Sequence, residues 1–428
     1  MRTFVLAALG AGALGATAQA QTTAAGTPVF AVRSGRPVVT LADGNFTIQP
    51  IARFDLDFGG FWDQPRYPGN KPPQFLDSDR AGVPANGINV RRGRVGLQGT
   101  YLKDFTYTFT WELAPGPGKQ FDPQKNSKIF ELQTAYTGLG WGTLRVGGFT
   151  LNHTLEFATS SFETLLLERP AIVNIATSLA SGDTRLAGGL EAKGDRWFAA
   201  GYATGGVLST LNDANQRGLV GRAVGLAVNE SDYTLAIGFN AAAQFHPGTS
   251  PGPQSVRLRD YPELRLEPTR LLDSATIKAG SGYAFGPEIS GKAGPVLLTG
   301  EYQRVEIDAN AGAPNRSFEG WYATASTPLW GEGRRWDGAR AVWTRPRVQD
   351  LNPEGNTWGW AEAVVRYSSA TLNDHGVRGG RQGVTSVGLN YYPTSRLRAS
   401  AQYSNGTVRL DGPDRAFQAF AMRLSFNW

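Results

Sequence analysis

The residues best able to do chemistry in this chain are its arginines. Of 42 basic residues in 428, only eight are lysine. Arg91, Arg92 and Arg94 stand together, while Arg53, Arg145, Arg185, Arg366, Arg398 and Lys278 are spread along the chain. A guanidinium stays charged at any physiological pH and offers a planar fork of donors to phosphate or carboxylate. Such a set suits the holding and release of anions. The plainer account is that these groups only hydrate a wet surface and neutralise acids such as Asp55, Asp57, Glu112, Glu131 and Glu362. Other chemistries are poorly supplied. With no cysteine there is no disulfide scaffold, thiolate metal site or thiol nucleophile. His153, His246 and His375 lie far apart in sequence, so neither a histidine metal site nor any cofactor is expected. Gly248-Thr249-Ser250-Pro251-Gly252 fits a nucleophile pattern, yet Pro247, Pro251 and Pro253 make a loop where that motif needs a strand and a helix. No enzyme is expected.

The elements that must position these groups begin after a leader. Met1-Arg2 is followed by an apolar stretch to Ala16 and by Ala18-Gln19-Ala20, the pattern of a cleaved secretory signal. Its Gly10-x-Gly12-x-x-Gly15 imitates a dinucleotide fingerprint but has no strand before it. Residues 1–20 are therefore read as a signal peptide, 21–44 as a short N-terminal segment and 45–428 as one domain. Cleavage near Ala20 leaves 408 residues and a net charge of +5. Beyond it no apolar run approaches the ~18 residues of a helical span.

Alternation is the dominant pattern. Phe46, Ile48, Ala52, Phe54, Leu56 and Phe58 interleave with Thr47, Gln49, Arg53, Asp55 and Asp57. The same period of two marks 105–113, 233–240, 359–367 and 397–404. Phe420, Met422, Leu424, Phe426 and Trp428 carry it to the end of the chain. Each run is close to the ~9–11 residues a tilted strand needs to cross a membrane. A lipid-facing arginine at mid-depth costs ~2–4 kcal/mol, so the charged row must face water. An open sheet in lipid would leave backbone groups unpaired, which forces closure. The expected fold is all-β: a closed antiparallel transmembrane β-barrel with sixteen to eighteen such runs. By parity Arg53, Arg92, Arg94, Arg145, Arg185, Lys278, Arg366 and Arg398 point inward, and Arg91 sits at a strand mouth. Gly331-Glu332-Gly333 is read as a tight reversal, and Val256–Arg265 and Ala339–Trp343 as loop or strand extension. Tyr101, Tyr136, Trp141, Trp330, Trp343, Tyr391, Tyr392 and Trp428 are candidates for aromatic girdles.

An ordered series of motifs resembles the phosphate- and polyphosphate-selective porin family of outer-membrane proteins. It runs from Gly35-Arg36-Pro37 and Arg53-Phe54-Asp55 through Arg91-Arg92-Gly93-Arg94-Val95-Gly96-Leu97. Val146-Gly147-Gly148-Phe149 and Glu168-Arg169 follow, then Val365-Arg366-Tyr367-Ser368 and Gly388-Leu389-Asn390-Tyr391-Tyr392. The resemblance implies sixteen strands, a homotrimer in the bacterial outer membrane, and passive diffusion of small anions, phosphate or polyphosphate among them. It implies an arginine-lined pathway that includes Arg91, Arg92 and Arg94. It also implies a loop folded into the lumen, here Leu151 to Ala180 with Glu168 and Arg169, anchored by Leu165, Leu166, Leu167 and Ile172. Aromatic Trp428 is similar to the signal read by the barrel-insertion machinery. No cluster matching the family's lysines stands in this sequence.

Two other functions compete. Evenly spread basic residues and export argue against nucleic acid. A secreted or periplasmic β-rich module that binds acidic or sugar ligands would use the same Trp and Arg residues as surface anchors. It would be released with the periplasm, whereas a barrel stays with outer-membrane lipid.

Overall fold

The computed structural model describes residues 28–33, 35–41, 44–62, 86–116, 127–182, 184–208, 216–230, 232–247, 254–266, 269–310, 312–410 and 414–428. The signal-peptide residues and the Gly248–Gly252 motif lie outside them. The alternating runs become sixteen strands: β1 (Phe46–Trp62), β2 (Gly87–Tyr101), β3 (Phe105–Glu112), β4 (Lys128–Tyr136), β5 (Gly142–Phe149), β6 (Arg185–Lys193), β7 (Trp197–Val207) and β8 (Arg217–Asn229). They continue as β9 (Tyr233–His246), β10 (Leu272–Ala293), β11 (Val296–Ala309), β12 (Arg316–Trp330), β13 (Trp360–Asp374), β14 (Val377–Tyr392), β15 (Leu397–Arg409) and β16 (Arg415–Asn427).

Each strand pairs antiparallel with the next, and β16 pairs with β1, so the sheet has no free edge in the membrane. Trp428 completes the seam, exchanging both backbone hydrogen bonds with Ala52 at 2.7 Å. The parity holds: Phe54, Leu56, Ile237, Phe239, Val365 and Leu424 are exposed on the outer wall. Arg53, Asp55, Asp57, Arg366, Arg398 and Arg423 are buried inside it. Close packing within the wall is visible at Gly99. A Cβ there would stand 1.8 Å from the Thr47 carbonyl oxygen. Glycine leaves room for the cross-strand Tyr107, whose hydroxyl donates to that same oxygen at 2.9 Å.

Among the described residues three connections turn inward and fill much of the bore. The first, residues 150–184 between β5 and β6, carries two helices, α1 (Leu155–Ala158) and α2 (Ala171–Ser178). The second, between β9 and β10, includes a strand Ser255–Asp260 paired on the upper end of β10. α2 and this strand bury Ile172, Ile175, Leu258 and Leu272 together with Val305, Phe318 and Leu372 of the wall. Leu165 and Leu166 pack on Leu297 and Val364, and Leu167 packs on Val384, Val408 and Phe417, as their apolar character demands.

The third connection corrects the sequence reading. Gly331-Glu332-Gly333 does not close a tight turn. It opens the segment 331–359, which enters the bore from the end that otherwise carries short turns and forms a hairpin of Arg335–Asp337 with Val342–Thr344. Trp343 is accordingly not a girdle residue: it is 3% exposed and its indole donates to Ser290 Oγ at 2.9 Å. Tyr392 is likewise fully buried, packed edge-on against Phe162 of the inserted loop. Before β1, the hairpin Val29–Arg33 with Arg36–Leu41 pairs with the first residues of β1.

Candidate functional site: an arginine-lined cavity in the bore

The site begins at a register fault. Asp55 of β1 stands opposite Arg92 and Leu56 opposite Val90, so Arg91 is the extra residue of a β-bulge. Simple alternation would turn Arg91 outward, and it was expected at a strand mouth. The bulge turns it in beside Arg92, with Arg94 two residues on. Three guanidinium groups thus enter the bore from four consecutive residues.

Each is held by an acid. Arg91 binds Glu168 through both carboxylate oxygens, at 2.6 and 3.0 Å. Arg92 and Arg53 converge on Asp55 Oδ2 at 2.7 and 3.0 Å. Arg94 donates to Glu112 at 2.6 Å and lies 3.4 Å above the centre of the Phe130 ring. Glu168 also takes Arg423 at 2.8 Å and Arg265 at 3.5 Å. Burial would raise its carboxyl, but Arg91, Arg423 and Arg265 outweigh that and hold it well below the usual carboxylate range. Charge-assisted pairs of this kind are short and orient the donors that remain.

Between this wall and the inserted loop lies a cavity of about 400 Å³. Among the described residues eight arginines line it (Arg53, Arg91, Arg92, Arg94, Arg145, Arg169, Arg265 and Arg340) against three glutamates, Glu131, Glu168 and Glu191. All three inward connections contribute: Arg169 from the first, Arg265 from the second and Arg340 from the third. Below it, toward the short-turn end, a vestibule of about 720 Å³ is walled by threonines and glutamines with Arg36, Arg345 and Arg396. Among the described residues lining that vestibule none is acidic.

The sequence-predicted residues divide. Arg53, Arg91, Arg92, Arg94, Arg145, Glu168 and Arg169 come together in the cavity. Arg366 and Arg398 point inward as expected, but their donors go to the loop backbone. Arg398 holds the carbonyls of Phe162 and Thr164 at 3.0 and 2.8 Å. Arg366 holds the Glu168 carbonyl at 3.0 Å and Glu263 at 2.7 Å. Arg185 binds the Ser178 carbonyl at the end of α2 at 2.8 Å. Lys278 is exposed rather than inward: a bulge between Ala279 and Ser281 reverses the parity of β10 above it. Arg169 braces the loop from within, donating to the carbonyls of Glu156 and Thr159 at 2.8 Å.

Sequence reasoning missed Arg222, Arg265, Arg334, Arg340 and Arg423. Arg222 and Arg423 sit in alternating runs and were findable by parity. Arg265, Arg334 and Arg340 lie on connections without any period. His153 is buried with its ring bonded to Ser181 Oγ at 2.7 Å, and burial, with Arg222 adding, lowers it to about 3. It is neutral at physiological pH. Among the described residues no group of acids and histidines could hold a metal ion.

An oily cylinder closed on itself, with a charged bore narrowed by an inserted loop, defines an outer-membrane porin. The family described as Phosphate-selective porin O and P matches residues 74–428, and the chain belongs to it. Porin O of Pseudomonas aeruginosa is 24% identical over 353 residues, 75% of this chain and 77% of that protein. The solved anion-selective porin from Comamonas acidovorans superposes with a TM-score of 0.52 at 12% identity, over 89% of this chain and all of that one. OmpT of Vibrio cholerae in its trimer form gives 0.51 at 12% identity, over 90% and 99%. At such identity these two likenesses report the fold.

Proposed function

We propose that the porin conducts small anions through the arginine cavity and that phosphate-like oxyanions dwell there during passage. The observation that carries this is that, among the described residues, eight guanidinium groups face three carboxylates around about 400 Å³. Conduction needs attraction weak enough to release the ion. The pairing of Arg53, Arg92, Arg91 and Arg94 with Asp55, Glu168 and Glu112 supplies that moderation. The route passes from the cavity to the threonine-rich vestibule. The Pseudomonas aeruginosa relative bears the name Porin O, and the family description speaks of phosphate. Among the described residues neither lining holds a lysine, which supports a preference nearer to general anions, carboxylates included, than to phosphate alone.

In planar bilayers single channels carry chloride in preference to potassium, and added phosphate lowers the chloride current. Reversal potentials that favour potassium would refute the reading. Replacing Arg92 and Arg94 with Ala lowers the chloride-to-potassium ratio several-fold, and an unchanged ratio would remove them from the path. The functional form is a homotrimer, inserted through recognition of the strand ending in Trp428 after cleavage near Ala20. A released binding module is disfavoured by the apolar outer wall. Fractionation with detergent-extracted outer membrane tests that point.

A further inference from the structure

The outer wall carries a second charged feature that the pore does not use. On β14 and β15 the outward row is oily through Leu389, Val387 and Tyr403. Above that it becomes Thr385, Asn405 and Thr407, and it ends on Arg381 and Arg409. These two arginines are direct cross-strand partners. Both are exposed on the lipid side of the wall, at the end of the barrel where β15 turns toward β16. Like charges placed directly opposite repel one another. Asp414 stands 3.4 Å from Arg409 but is itself more than half exposed, and Arg381 has no acidic partner among the described residues. The neighbouring sector of the wall is different: there Arg304 is matched by Glu306 at 2.8 Å, and the Tyr302 hydroxyl donates to Glu319 at 2.6 Å.

The height of the pair fixes what it meets. Six residues separate Arg409 from Tyr403. At ~3.3 Å per residue and a tilt of ~40° this lifts the pair about 15 Å above the tyrosine along the membrane normal. The outward row turns polar at Thr385 and Asn405, so the guanidinium groups at its upper end lie on the polar side of the hydrocarbon, beside hydroxyl and amide side chains and above an apolar wall. We propose that Arg381 and Arg409 form a docking site for a phosphorylated lipid of the outer leaflet. Its phosphate sits between the two guanidinium forks, its sugar hydroxyls meet Thr385, Asn405 and Thr407, and its acyl chains lie along Leu389, Val387 and Tyr403.

The test uses the intact detergent-solubilised protein and native mass spectrometry. The probes are an acylated disaccharide bisphosphate lipid, the same lipid without phosphates, and inorganic phosphate. The wild type retains the bisphosphorylated lipid, and the double change Arg381→Gln with Arg409→Gln weakens it about tenfold or more, the scale of losing charge-assisted bonds to phosphate. The phosphate-free lipid binds both proteins alike. Single-channel conductance is unchanged in the variant, which also shows that it folds. Should the double variant fold poorly, Arg381→Gln alone gives the same readout at a position with no acidic partner among the described residues. Equal retention of the bisphosphorylated lipid by wild type and variant would overturn the proposal. So would equal retention of the phosphorylated and phosphate-free lipids by the wild type. Displacement of the lipid by millimolar inorganic phosphate would reassign the pair to free anions.

Discussion

Arginine serves two separate purposes here, and acceptor chemistry tells them apart. Where the partner is a carboxylate beside the cavity, as at Arg92 with Asp55, spare donors still face the bore. Where the partners are backbone carbonyls of an inserted segment, as at Arg398, the group is consumed in construction. This predicts opposite phenotypes. Asp55→Asn removes the acid shared by Arg53 and Arg92; phosphate then blocks chloride current at lower concentration, measurable in a titration of single-channel conductance. Removing one partner of a buried pair costs about 3–5 kcal/mol locally, so the melting temperature falls as well. Charge neutralisation of Arg366 or Arg398 instead leaves ion preference nearly unchanged and alters conductance.

The loop between β5 and β6 is the element on which that second phenotype depends. Arg334, Arg366, Arg398 and Arg423 donate to the carbonyls of Glu163, Glu168, Phe162 with Thr164, and Leu167 respectively. Bonds to a charged donor are worth about 1.5–3 kcal/mol each. Arg398→Ala therefore frees one end of the loop, and conductance rises with added current noise in bilayer recordings. A pH effect belongs to the same element. Asp260, which ends the short strand of the second connection, accepts from Asn174 of α2 at 2.8 Å, and burial raises its carboxyl to about 6 against the opposing pull of Arg265. A folded pKa above the unfolded ~3.9 means that its contribution is complete below about pH 4 and is lost as pH rises through 6. Hydrogen exchange in α2, corrected for intrinsic rate, is better protected at pH 4.5 than at 7.5, and Asp260→Asn shrinks the difference. The strands around these elements were legible in the sequence because period two survives wherever one wall faces lipid. Arg91 and Lys278 were misplaced because a single inserted residue reverses parity without leaving a mark in composition. The hairpin of Arg335–Asp337 with Val342–Thr344 was unreadable for another reason. Its burial comes from contacts across the bore, Trp343 with Ser290 and the adjoining Arg334 with Glu362, which no local pattern encodes.

At the scale of the whole molecule, closure makes the seam between β1 and β16 decisive. Deleting Trp428 removes the paired backbone bonds to Ala52 and the indole bond to the Gly35 carbonyl. The expected outcome is slower assembly into membranes and less of the heat-resistant form on unboiled gels. Undiminished assembly would show that the last residue is dispensable. The moorings of the inserted loop have a further evolutionary consequence. Wall arginines grip its main-chain oxygens, which every amino acid possesses. Side chains at positions such as Thr159, Ser160 and Ser161, which border the cavity, can therefore be exchanged without unfastening the segment. Descendants of one scaffold can thus acquire new sieves by drift at a few sites while the anchorage persists, and a designer can follow the same path by randomising those three positions alone.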